Sequence, residues 1–301
     1  MANRKSGDNM GCFYLILALF GGLLKGFSAK KLSNDVYGFK DCLIANFFRM
    51  LFCAIIGFFC LGFDTVILNI SLKEFYIFIL SSVSMVAFCV TYMFAYKVSA
   101  YMYLSIFGML GSVLTCFLDL IIYKERITFN KWLGIGIVFI AVIIMSKYNK
   151  DIKGVSIKGI LILIAAALSV GISDFSQKIY VREINGQART FNFYTYLLGT
   201  ILITFILLLF KNKTETLDVI RSYGLRNIIL CLFISGVLFI NSLSKTTVAN
   251  YMSSAEIYPV LQGANLIASS ILAQILIKEK INKISMLGRL CAFIGLLVMH
   301  I

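Results

Sequence analysis

Lys25 and Asp174, of opposite sign, each fall well inside an apolar run of the chain. A charge at the centre of a bilayer costs about 2.5–3.5 kcal/mol on insertion scales. Such groups are expected to face a partner, a solute or a wet cavity, and the two can pair or take turns as a solute's counter-charge. The richest polar stripe is Tyr258, Gln262, Asn265 and Ser269, at i, i+4, i+7 and i+11 on one helical face. Lipid would leave those groups unsatisfied, so the face is expected to point inward and line a path for a solute. Pro259, the single proline, lacks a backbone N–H and frees a carbonyl one turn earlier, which suits a ligand or a hinge. Arg49 shares a face with Asn46, Asn192 with Tyr196, and Asn241 with Lys245. Phe88, Tyr92 and Tyr96 recur every four residues, and an aromatic face can hold a cation or a flat ring. Glycines at 21, 22 and 26 would let a neighbouring helix approach Lys25 closely.

Enzymatic chemistry has little to work with. The one histidine is His300, and neither H-E-x-x-H nor G-x-S-x-G occurs. The eight cysteines include no C-x-x-C pair and read as buried reduced thiols. No metal centre and no cofactor are expected.

The elements that position these groups must be transmembrane helices. Hydrophobic residues make up 60% of the chain and charged ones 14%, against about 45–50% and 25% in soluble domains. A span needs about 20 apolar residues, and ten fit with short loops between them. They are read at roughly 11–30, 40–61, 75–96, 102–123, 130–147, 157–179, 191–210, 227–245, 254–277 and 283–300. The runs are apolar on all faces, which argues for helices over the alternating strands of a barrel. The net charge of +14 is spread singly between hydrophobic runs. That pattern suits anionic headgroups, so the bilayer rather than nucleic acid is the expected partner.

An internal repeat organises the ten spans. Lys124-Glu125-Arg126-Ile127 returns 154 residues later as Lys278-Glu279-Lys280-Ile281, and Leu133-Gly134 returns as Leu287-Gly288. Nearer the start, Gly11, Ala18, Phe27-Ser28 and Lys30 return 148 residues later as Gly159, Ala166, Phe175-Ser176 and Lys178. Two five-helix units, 1–152 and 153–301, follow. An odd number of spans forces the second unit to enter the membrane from the opposite face, the inverted arrangement that many secondary transporters build around a midplane site.

Two such halves, each with Lys-Glu-Arg/Lys-Ile before its last helix and Leu-Gly after, resemble the EamA-type transporters of the drug/metabolite transporter superfamily. Arg49 fits the arginine common in the second helix of that family, and Pro259 the proline of its penultimate helix. Ser105 stands where the first half would carry the matching proline. The resemblance implies an exporter or exchanger of a small polar metabolite, with amino acids and amines among the family's substrates. It also implies cytoplasmic termini, whereas the positive-inside rule applied to the loops favours the reverse. Small multidrug relatives couple protons through a glutamate in the first helix, and the first span here has no acid. The expected solute-binding residues are Lys25, Arg49, Tyr92, Tyr96, Asp174, Asn241, Tyr258, Gln262 and Asn265, with Pro259 as gate or hinge. The expected partners are a small-molecule substrate and the lipid bilayer, the protein acting as a monomer or homodimer. A flippase for a lipid-linked group is the alternative within transport, and an intramembrane enzyme the alternative outside it.

Overall fold

The computed structural model describes residues 2–36, 38–62, 70–98, 101–124, 128–148, 157–210, 224–275 and 283–299. Among them every regular element is helical. The ten helices are α1 (Ala2–Ser33), α2 (Phe39–Leu61), α3 (Leu72–Val98), α4 (Tyr101–Tyr123), α5 (Phe129–Tyr148), α6 (Ile157–Ile179), α7 (Ala188–Leu208), α8 (Leu225–Val248), α9 (Ser254–Ile275) and α10 (Lys283–Met299). A π-turn, Tyr180–Ile184, extends α6. The spans expected from the sequence thus appear in order, several of them longer than expected at one or both ends. Of the repeated Lys-Glu-Arg/Lys-Ile motif only Lys124 lies within the described residues.

Local chemistry sets the helix ends. Ser71 and Glu74 form a reciprocal capping box before α3, with the Ser71 backbone N–H donating to Glu74 at 2.8 Å and the Glu74 N–H to Ser71 Oγ at 3.2 Å. Asp41 accepts the Gly38 N–H at 3.0 Å at the start of α2, and Glu256 accepts the Ser253 N–H at 3.0 Å before α9. Left-handed residues stop three helical segments: Gly62 after α2, Lys124 after α4 and Asn185 after the π-turn.

Among the described residues, α1, α2, α3, α6 (with the π-turn), α7 and α8 are long and apolar enough to cross a membrane. Shorter apolar stretches occur in α4, α5 and α10, and α9 carries the polar stripe. Large apolar side chains such as Phe13, Phe20, Phe59, Ile121, Phe205 and Leu290 cover the outside. A surface of that kind is solvated by lipid. Of the cysteines, five are buried, Cys291 is half-buried, and Cys12 and Cys60 face outward; all eight are free thiols. The expectation of buried thiols is therefore corrected at Cys12 and Cys60.

Packing follows the repeat. α3 lies on α6 as α1 lies on α8, and α3 meets α7 as α2 meets α8. α2 packs against α7, α4 against α9 and α5 against α10, each against its own counterpart. Direction along these pairs shows the inversion. Gly57 of α2 faces Phe193 near the start of α7, while Gly199, further along α7, faces Met50, earlier in α2. The two counterparts therefore run antiparallel. Between α3 and α7 the order is parallel, since Phe78 stacks on Tyr194 with centroids 5.0 Å apart and Val86 meets Gly199. An apolar cluster including Met50, Cys53, Val86, Tyr196 and Phe239 fills the space between α2, α3, α7 and α8.

Candidate solute-binding site

Six of the nine expected solute-binding residues converge on one cavity inside the bundle. It encloses about 70 Å³ and brings together Lys25, Tyr92, Asp174, Asn241, Gln262 and Asn265. One water needs about 10–15 Å³ by this measure, so several waters or a small solute fit. Its walls come from α1, α3 and α4 of the first half and from α6, α8 and α9 of the second. These are the three pairs of counterparts, so the cavity sits on the pseudo-twofold axis.

Asp174 on α6 forms an ion pair with Lys245 on α8. The sequence pointed to Lys25 as its partner, and the structure corrects this. Lys245 stood at the edge of its expected span, yet α8 continues to Val248 and the lysine stem is long enough to reach inward. The second carboxylate oxygen of Asp174 is buried without a hydrogen bond. Lys25 Nζ donates to Asn241 Oδ1 at 3.4 Å and lies 5.1 Å from the centroid of Phe88. Asn241 Nδ2 in turn donates to the Ala18 carbonyl at 2.5 Å, tying α8 to α1. The aromatic face of α3 therefore does hold a cation, and that cation is the protein's own Lys25. Phe88 and Tyr92 lie 4.6 Å apart in a tilted contact. The side chain of Tyr96 lies outside the described residues, as do those of Ser105 and Ser269.

On α9 the expected stripe divides. Gln262 and Asn265 reach the cavity, where a Cβ on Gly108 would meet Gln262 Oε1 at 3.1 Å and a Cβ on Gly22 would meet the Asn265 amide at 3.0 Å. Tyr258 does not line it. Its hydroxyl donates to the Asp174 backbone carbonyl at 2.8 Å, and its ring lies 5.7 Å from Lys245 Nζ. The tyrosine is fully buried behind the ion pair and positions it from the rear. Pro259 is buried, and α9 passes through it unbroken from Ser254 to Ile275. Glu256, at the first turn of α9, caps that helix and bonds Lys131 of α5 at 2.9 Å.

Arg49 lies beside the main cavity in a side pocket of about 10 Å³, whose walls also include Lys25, Phe88, Cys89 and Tyr92. Its Nη1 donates to Asn46 Oδ1 at 2.8 Å, and Asn46 is fixed by donating to the Cys42 carbonyl at 2.9 Å. Lys245, Gln177 and Ser242 also line the main cavity and were not among the expected site residues. Gln177 had a readable signal, for it falls one turn after Asp174 on the same helix face.

This is the architecture of a membrane transporter built from two inverted repeats around a polar centre. The EamA-like transporter family model matches residues 9–147 and again 157–301, one match to each half. The chain belongs to that family and is a multi-pass membrane protein. No curated protein matches the sequence. A solved crystal structure superposes with a TM-score of 0.69 at 13% identity, over 97% of this chain and 95% of that one. At that identity the likeness establishes the fold alone.

Proposed function

We propose that the protein is a secondary active transporter, an exporter or exchanger, of a small polar metabolite of the amino-acid or amine type. The carrying observation is the central cavity, whose polar and charged groups come from corresponding helices of two inverted halves. Inverted repeats give a bundle two access states related by exchanging the halves' conformations, and a site on the axis is kept in both. Tyr92, Asn241, Gln262 and Asn265 supply hydrogen bonds to the solute, the charged groups set its polarity, and Tyr258 steadies Asp174. Pro259 is the hinge in α9, because the missing backbone bond lowers the cost of bending there. The setting is the cell membrane with both termini on the cytoplasmic face, in a monomer or homodimer, with no catalysis and no cofactor.

Solute exchange in proteoliposomes of the purified protein tests this. Counterflow of a labelled solute that is abolished by Gln262→Leu plus Asn265→Leu, in protein that remains monodisperse, is the expected result. Counterflow unchanged by the pair of substitutions overturns the assignment of the cavity as the transport site.

A further inference from the structure

Charge around the site is not balanced. Lys25 and Lys245 line the main cavity, Arg49 lines the side pocket, and Asp174 is the one carboxylate among the residues lining either space. Asp174 is engaged by Lys245. Lys25 and Arg49 therefore share the side pocket with neutral company: Lys25 donates to the Asn241 amide oxygen, and Arg49 to that of Asn46. Arg49 is only 3% exposed, and its Nε is buried with no hydrogen-bond partner. Two desolvated cations that line one small pocket with no anion among its walls are costly, and polar groups so placed in a membrane protein mark solute pathways.

We infer that the transported solute carries a carboxylate, which docks between Lys25 and Arg49 while the rest of the molecule occupies the main cavity. This rests on the transporter reading above and narrows it, since simple amines drop out. The side pocket, at about 10 Å³, has room for about one water, which matches one carboxylate oxygen while the other stays toward the main cavity. Arg49 offers a planar fork of donors suited to a carboxylate, and the chain Cys42–Asn46–Arg49 along α2 holds that fork in place. At the other end Asp174 Oδ2, Gln177 Oε1 and Asn265 Oδ1 are buried acceptors with no donor. They suit a solute that also carries N–H or O–H groups, so a hydroxy acid or amino acid fits both ends better than a plain fatty acid.

The test uses full-length protein with two readouts, thermal stabilisation in detergent and counterflow in proteoliposomes. The probes are L-alanine, L-glutamine, L-phenylalanine, lactate and succinate, with the α-amides and decarboxylated amines of the three amino acids. The expected result is that at least one carboxylate stabilises the protein and exchanges, at a rate ten-fold or more above its amide or amine where it is an amino acid. Lys25→Met and Arg49→Lys should each raise the apparent KM for that carboxylate about ten-fold, in protein that stays monodisperse. Arg49→Lys keeps the charge and removes the fork, so it guards against loss of folding. Amines or amides that bind and exchange as well as the acids overturn the carboxylate while leaving transport intact. Carboxylates that stabilise the protein but never exchange support the site and overturn the transporter reading. Protein that responds to none of the probes overturns both.

Discussion

The two halves share a topology and handle charge in opposite ways. In the second half, α6 and α8 are tied by the Asp174–Lys245 pair, with Tyr258 bracing it from behind. In the corresponding place in the first half, between α1 and α3, Lys25 has no carboxylate and meets the ring of Phe88 and the amide oxygen of Asn241. Close packing divides the same way. Where α4 crosses α6, backbones touch: a Cβ on Gly111 would lie 2.5 Å from the Ala167 carbonyl oxygen, and one on Gly171 2.6 Å from that of Gly111. Thr115 Oγ1 also donates to the Gly171 carbonyl at 3.1 Å across this crossing. The equivalent crossing of α1 with α9 brings Gly22 against a side-chain amide, that of Asn265, and opens onto the cavity. One crossing is closed by backbone contact and the other borders the cavity, the kind of asymmetry that the proposed alternating carrier needs in any single state.

Four substitutions sharpen or break this contrast. Lys245→Met leaves Asp174 buried and unpaired and should cost about 3–5 kcal/mol of stability; addition of Asp174→Asn should restore most of it in detergent unfolding. If the single and double variants unfold alike, the pair is not what ties α6 to α8. Gly171→Val forces a branched side chain into the α4–α6 backbone contact and should cost about 1–3 kcal/mol or more, visible as a lower melting temperature and a smaller monodisperse fraction. Lys25→Met removes a charge with no carboxylate partner, so its stability should change by only about 1 kcal/mol, on the stabilising side. A fall as large as that of Lys245→Met would mean the first half holds charge as the second does. Gly22→Ala meets an amide that can turn, so it should cost under about 1 kcal/mol while altering exchange kinetics. Equal destabilisation by Gly22→Ala and Gly171→Val would erase the distinction between the crossings.

Much of this was readable from residues alone. The spans were legible because lipid demands unbroken apolar runs, and the repeat because the turn motif and Leu-Gly recur at one offset. The convergence of Lys25, Tyr92, Asp174, Asn241, Gln262 and Asn265 was legible because polar groups at membrane depth have only the bundle interior to face. Pairing was not. Lys245 looked like a residue at a span's end, since depth depends on where the helix stops and how far a lysine stem reaches. Tyr258 shares the face of Gln262, yet its long ring carries the hydroxyl past the cavity to the Asp174 carbonyl. Arg49 sits in the expected helix but opens onto the side pocket, because Asn46 three residues earlier draws the guanidinium aside.

Among the described residues, neither α5 nor α10 lines the main cavity or the side pocket, so the pair stands apart from the proposed solute path. The pair is nonetheless closely interlocked: a Cβ on Gly295 would lie 2.9 Å from the Gly134 carbonyl oxygen and 2.8 Å from Val138. α10 follows every cavity-lining helix in the chain, so the ribosome delivers it after they are all made. It then docks against α5, inserted half a chain earlier. α10 is thus a late-closing clasp: until it is made, the flank of α5 against which Gly295 packs has no cover from it.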